Sequence, residues 1–163
     1  MDYNIGDKVL YPMHGAGVIE AIEVKEILGE THSYYVMKLT SGNMKVMIPM
    51  HNAREIGVRD IISIEQAEIV ISSFATTRGE EDSNWNKRYR ENMLKIRSGN
   101  IYEVLEVVKS LMCRDKRKGL STGERKMLAS AKQILVSELV LTNAAETERI
   151  EQMLEEAVVI EVG

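Results

Sequence analysis

Few residues of this chain could carry out covalent or metal chemistry, and those that could are badly spaced for it. His14, His32 and His51 are far apart and lack the i, i+4 pairing of helix-borne metal ligands. A single cysteine, Cys113, rules out a cysteine-rich zinc site and an internal disulfide, and fits a reducing compartment. Its neighbours Leu111 and Met112 predict a buried thiol, and no His or Asn nearby in sequence argues for a nucleophile, although Arg114 could lower its pKa. His14 sits in the tight turn Tyr11-Pro12-Met13-His14-Gly15, where a hydrogen-bonded structural histidine is expected. Glu80, Glu81 and Asp82 cluster in a polar, turn-rich stretch, the pattern of a solvated loop rather than of an acid/base pair. Neither G-x-x-x-x-G-K nor a strand-linked G-x-G-x-x-G occurs. No catalytic residue, metal ligand or cofactor is therefore expected.

Binding chemistry is better supported. The only tryptophan, Trp85, opens the run Asn84-Trp85-Asn86-Lys87-Arg88-Tyr89-Arg90. The net charge is −4, but it is unevenly spread: residues 87–126 hold 12 Lys and Arg against 5 Asp and Glu, while residues 58–86 hold 2 against 6 and residues 127–163 hold 2 against 7. A basic block within an acidic chain can attract phosphates locally while the overall charge limits indiscriminate binding. Trp85 has two readings. At helical spacing it lies one turn before Tyr89, Met93 and Ile96, which makes it a core residue. At the first turn of a helix, beside basic residues, it could instead project as an apolar wedge between bases.

The elements that would position these residues fall into two groups. Up to about residue 57 the chain reads as short strands: Lys8-Val9-Leu10-Tyr11, Val18 to Leu28, Ser33 to Leu39 and Met44 to Ile48, with turns at Gly29-Glu30 and Ser41-Gly42-Asn43 and a last short strand before residue 60. Five strands in so few residues predict a small antiparallel barrel or strongly bent sheet of the SH3 or Tudor kind. Beyond Asp60 the apolar period shifts toward 3.6. Ile64, Ala67, Ile71 and Phe74 form one helical face, and helices follow from about Asn84 to Ile96, from an Asn100 cap, from a Ser121-x-x-Glu124 capping box, and through Ile150 to Val158. The fold class expected is α+β, a β-barrel domain (residues 1–57) followed by an all-α domain of about five helices (residues 58–163).

At 163 residues and 44% hydrophobic content the chain is large enough for one ordinary domain or two small ones. Most of its ten methionines are expected to fill the core. With no charged-then-apolar leader and no apolar run near ~18 residues, the sequence reads as soluble and cytoplasmic.

Several stretches, in order, resemble the CarD family of bacterial transcription regulators. They are Gly6-Asp7-Lys8-Val9-Leu10-Tyr11-Pro12-Met13-His14-Gly15, then Asn52-Ala53 with Gly57-Val58-Arg59-Asp60, then Asn84-Trp85-Asn86-Lys87-Arg88-Tyr89, and later Gly119-Leu120-Ser121-Thr122-Gly123-Glu124 with Met127-Leu128-Ala129 and Gln133-Ile134-Leu135. The N-terminal part is also similar to a module of transcription-repair coupling factors. The resemblance implies that a Tudor-like domain docks on the β subunit of RNA polymerase. It implies that the helical domain lies on promoter DNA at the upstream edge of the melted region, where a tryptophan wedge in the minor groove stabilises the open complex. By position Trp85 is that wedge, Lys87, Arg88, Arg90 and Arg125 match basic or DNA-facing positions, and Lys25, Ile27 and Met47 fall at or beside polymerase-contacting positions. Met47 stands where well-known members carry arginine, so a charge contact there is lost or replaced by apolar packing. The implied protein is a non-enzymatic, cofactor-free monomer, associated with the nucleoid through polymerase. The competing reading is a protein-interaction adaptor of RNA polymerase without direct DNA binding.

Overall fold

The computed structural model describes residues 3–40, 42–78 and 83–163. The expected solvated cluster Glu80-Glu81-Asp82 and Ser41 of the third turn lie outside the described residues.

The chain opens with five strands: β1 (Lys8–Tyr11), β2 (Gly15–Ile27), β3 (Glu30–Leu39), β4 (Lys45–Pro49) and β5 (Arg59–Asp60). They form one antiparallel sheet in the order β4-β3-β2-β1-β5. The β2–β3 hairpin turns on Leu28 and Gly29, both at positive φ, with Ile27 opposite Glu30. That is a two-residue turn of the kind that matches strand twist, one residue earlier than the expected Gly29-Glu30. Gly17 is required by backbone proximity, since a Cβ there would lie 2.2 Å from the Lys38 carbonyl oxygen. A register shift between Ile19 and Ala21 marks a bulge, a device that bends a sheet. The expected barrel does not close: among the described residues β4 and β5 remain the two edges. The sheet is the open, bent alternative.

Five helices follow: α1 (Ile64–Ser72), α2 (Trp85–Arg97), α3 (Ile101–Arg117), α4 (Thr122–Leu141) and α5 (Thr147–Val162). Their starts are set by local side-chain chemistry. Ser63 and Gln66 form a reciprocal capping box for α1, Asn84 accepts from the Lys87 amide, Asn100 from the Tyr102 and Glu103 amides, and Ser121 from the Glu124 amide. The β-branched α3 is held by burial, with ten residues inside, and it packs on α2, α4 and α5. In α1 the buried pair is Ala67 and Val70, while Ile64 stays exposed. Of the methionines, Met37, Met112 and Met127 are buried and Met50, Met93 and Met153 pack half-buried against the two cores, so most of those described do fill the core. No helix among the described residues is long and apolar enough to cross a membrane.

Strand alternation joins the two parts. Val9 of β1 enters the small core made with Ile19, Tyr35, Met37 and Ile48, while its neighbour Leu10, with Ala16, belongs to the large helical core. The expected junction at residue 57 falls just before β5, whose residues Arg59 and Asp60 pair with β1. Arg59 is the main polar tie. Its guanidinium bonds both carboxylate oxygens of Glu138 on α4, at 2.7 and 2.9 Å, and the Gly99 carbonyl between α2 and α3, at 3.1 and 2.7 Å. Glu138 also accepts from the Ile62 amide at 2.9 Å, and the Ser137 hydroxyl accepts from the Ala16 amide at 2.9 Å. Pro12 fits between Gly57 and Gly99, where a Cβ on either glycine would come within 3.1 Å of the ring.

Candidate nucleic-acid interface and protein-docking face

Trp85 is the first residue of α2, and its helix explains its exposure. Burial falls toward the N-terminus along the row Ile96, Met93, Tyr89, Trp85: Ile96 is fully inside, Met93 and Tyr89 are half-buried, and Trp85 is 41% exposed. The indole stacks on Tyr89, with ring centroids 4.9 Å apart and planes 19° from parallel. Its Nε1 donates to the Ser121 hydroxyl at 3.1 Å, and Gly123 lies beside the aromatic pair with room left for a Cβ, which would stand 3.5 Å from Tyr89 and 3.7 Å from Trp85. Trp85 therefore packs on the apolar stripe and projects beyond the core as well.

The adjacent row, Arg88, Asn92 and Ile96, is the buried face of α2. Arg88 is only 3% exposed and donates through Nε to Glu124 Oε2 at 2.9 Å and through Nη2 to Glu124 Oε1 at 3.4 Å. Its placement does not fit the expected DNA-facing role, because its charge is committed to a carboxylate inside the protein. Burial opposes the charge of Glu124, but the Arg88 guanidinium, with Ser121, holds that carboxyl below its usual range.

Lys87, Arg90 and Arg125 are exposed, as expected. Lys87 approaches Glu91 at 3.9 Å and Arg125 approaches Asp115 at 3.6 Å. Elsewhere the basic block is less positive in space than in sequence. Lys95 pairs with Glu106, and Lys116 with Glu155 of α5. Lys109 is fully buried, bonded to the Phe74 carbonyl at 2.6 Å and paired with Glu161 at 3.0 Å. Glu161 is lowered as well. Burial opposes its charge, and the hydrogen bonds from Cys113 and Lys109 with the Arg78 charge outweigh it. The acids that balance Lys109 and Lys116 of α3 come from α5, 52 and 39 residues away in sequence.

Cys113 is buried, as expected. Burial, then the hydrogen bond to Glu161 at 3.1 Å, push the thiol up to about 11, so the nearby positive charges do not activate it. In the folded protein the thiol is expected to be inert to a disulfide reagent at neutral pH. Labelling across a denaturant series should rise only with global unfolding; rapid labelling without denaturant would contradict this burial. His14 is held through its backbone, its amide donating to the Tyr11 carbonyl at 2.9 Å, while its ring lies 4.4 Å from the Tyr11 ring. Among the described residues no cluster of His, Cys, Asp or Glu could hold a metal ion.

The three remaining expected site residues lie on one face of the sheet. Met47 pairs with Val36 and Val36 with Ala21, so these three side chains share a face. Lys25 and Ile27 follow Ala21 at even spacing on β2 and fall on it too. The buried Tyr35 and Ile48 occupy the opposite face. Lys25 and Ile27 are exposed and Met47 is half-buried. The face is mixed apolar and charged, suited to a protein surface rather than to phosphate.

The family model described as "CarD-like/TRCF RID domain" matches residues 3–62, and the one described as "CarD, C-terminal domain" matches residues 69–155. The chain belongs to the CarD family. The "Putative transcription factor YdeB" of Bacillus subtilis (strain 168) is 42% identical over 137 residues, which is 84% of this chain and 90% of that protein. The solution structure of the 72-residue N-terminal domain of Myxococcus xanthus CarD is 34% identical and covers 36% of this chain and 79% of that one, with a TM-score of 0.32. For a CarD family member the coarse function is regulation of transcription, and the RID match points to an interaction with RNA polymerase. The indole-to-Ser121 bond, the Arg88–Glu124 bridge and the Arg59–Glu138 tie escaped the sequence reading, although the four-residue spacing of Arg88, Asn92 and Ile96 carried the signal for one of them.

Proposed function

We propose that this CarD protein docks on the RNA polymerase β subunit through the face carrying Lys25, Ile27 and Met47, and stabilises the open promoter complex with Trp85. The observation that carries the reading is the half-exposed indole at the first turn of α2, oriented by its own neighbours and accompanied by the exposed cations Lys87, Arg90 and Arg125. The cations contact backbone phosphates, which position without specifying sequence. The exposed ring face inserts at the upstream edge of the bubble in the minor groove. No covalent step is involved. A ligand that prefers melted DNA shifts the closed–open equilibrium by its difference in affinity for the two states.

The test is the lifetime of promoter complexes formed by purified polymerase with the protein or its Trp85→Ala variant. A wedge preference of ~1.4 kcal/mol corresponds to a roughly tenfold loss of lifetime stabilisation. Because Trp85 is already 41% exposed, the variant should lose only about 1–2 kcal/mol of folding stability, less than the ~3–5 kcal/mol of a core aromatic. An unchanged lifetime would sink the wedge.

The ion pairs of Lys87, Lys95, Lys116 and Arg125 favour the adaptor reading, in which the basic face does not meet DNA. Surface pairs are worth about 0–1 kcal/mol, weak enough for phosphates to displace the carboxylates. Salt-titrated binding to a pre-melted promoter fragment separates the two readings: the wedge protein binds with a negative salt slope, and the adaptor shows neither affinity nor slope.

A further inference from the structure

We propose that Ser121 is a positioning residue for Trp85, and that its hydroxyl sets the rotation of the indole before any partner arrives. Three groups meet at one oxygen. The Ser121 hydroxyl accepts from Trp85 Nε1 at 3.1 Å and from the Glu124 amide at 3.2 Å, and it donates to Glu124 Oε1 at 3.3 Å. A serine hydroxyl has one proton and two lone pairs, so these three bonds exhaust it. Its proton must point at Glu124, and one lone pair must face the indole. Glu124 is fixed in turn by Arg88 on the next turn of the tryptophan's own helix. A closed loop results: Trp85 to Ser121, Ser121 to Glu124, Glu124 to Arg88, and along α2 back to Trp85.

The loop answers a specific need. An exposed aromatic ring at a helix terminus would otherwise sample several rotamers and lose that freedom on inserting. Stacking on Tyr89 fixes one ring face but tolerates sliding and rotation in the plane. The bond from the indole edge to Ser121 removes the in-plane freedom. A ring already held in the inserting orientation loses less entropy when it binds. This role rests on the wedge reading of Trp85.

Ser121→Ala, Ser121→Thr and Trp85→Phe test the idea in the full-length protein. Trp85 is the only tryptophan, so time-resolved emission anisotropy reads its motion alone. Ser121→Ala should enlarge the fast component of the decay and shorten promoter-complex lifetime by a few fold, less than Trp85→Ala does. Ser121→Thr, which keeps the hydroxyl, should restore both. Ser121 also caps α4, so the deciding measurement is a double-mutant cycle. Phenylalanine keeps the ring but has no N–H; in that background Ser121→Ala should leave the lifetime unchanged. An equal loss in both backgrounds would reduce Ser121 to a helix cap and overturn the proposal. So would an unchanged indole anisotropy in Ser121→Ala, or a looser indole with an unaltered lifetime. If Trp85→Ala itself leaves the lifetime intact, the wedge reading has failed and the functional half of this proposal goes with it, while the anisotropy arm still decides whether Ser121 holds the ring.

Discussion

Glu124→Ala should lower folding stability by about 3–5 kcal/mol, a large change for one exchange near the start of a helix. Glu124 is 2% exposed and Arg88 is 3% exposed, so neither charge can turn to water when the other is removed. Alanine leaves the guanidinium charged inside the protein without its carboxylate. Replacing both partners by apolar residues of similar volume, Arg88→Met with Glu124→Leu, should recover most of the loss, since desolvation of the pair offsets much of its attraction. A denaturant series at neutral pH reads both variants. A cost below ~1 kcal/mol for Glu124→Ala would mean that the bridge contributes only what a surface pair does. The sign of the pH dependence follows from the lowered carboxyl. Glu124 contributes its full stabilisation above its unfolded value, and the contribution is lost as pH falls through the lowered folded value. Glu124→Ala should therefore flatten part of the acid limb of the stability curve. Glu161, lowered in the same direction, keeps the remainder.

This bridge also shows what could be read from sequence and what could not. Strands, helices and caps are local, and residues close in sequence announced several of them: Asn100 opening α3 and Ser121 with Glu124 opening α4. The helical period placed Trp85 on the Tyr89–Met93–Ile96 row, as the structure has it. It could not say where along that row the core ends, because that depends on how far α4 extends beside α2. Arg88 was misjudged because residue type was weighed above position. Its spacing from Asn92 and Ile96 marks the buried face, but an arginine in a basic run looks solvent-facing until a buried glutamate is found 36 residues away. Part of the basic block was overcounted for the same reason: Lys109 and Lys116 are balanced by Glu161 and Glu155 of the last helix, pairings that exist only in the folded chain. Sheet closure was equally out of reach, since strand spacing suits a barrel and an open bent sheet alike.

The second large effect is expected at Arg59, which joins the sheet to the helices. Glu124 and Glu138 stand 14 residues apart on α4, about four turns and roughly 21 Å. Arg88 grips the first from the tryptophan end of α2, and Arg59 grips the second while holding the Gly99 carbonyl beyond the other end of α2. Helix α4 thus acts as a strut between the indole and the sheet. The two single exchanges should differ in cost. Arg59→Ala strands a carboxylate that is 1% exposed and should cost about 3–5 kcal/mol. Glu138→Ala strands a guanidinium whose side chain is 32% exposed and still bonded to Gly99, so it should cost less, about 1–3 kcal/mol. Equal costs, or the reverse order, would show that solvent access at Arg59 does not relieve the lost pair. Function should separate from stability at the same site. Glu138→Ala, studied well below its melting temperature, keeps Lys25, Ile27 and Met47 on their strands and Trp85 on Tyr89. On the wedge reading proposed above, polymerase affinity should stay within about twofold, while stabilisation of the promoter complex falls severalfold, because an indole on a loosened strut would no longer be held at a fixed distance from the docking face. A parallel loss of affinity and stabilisation would instead trace the effect to the docking face, and an unchanged lifetime would show that the remaining contacts, Ser137 with Ala16 and Pro12 between its two glycines, hold the two parts in register without the ion pair.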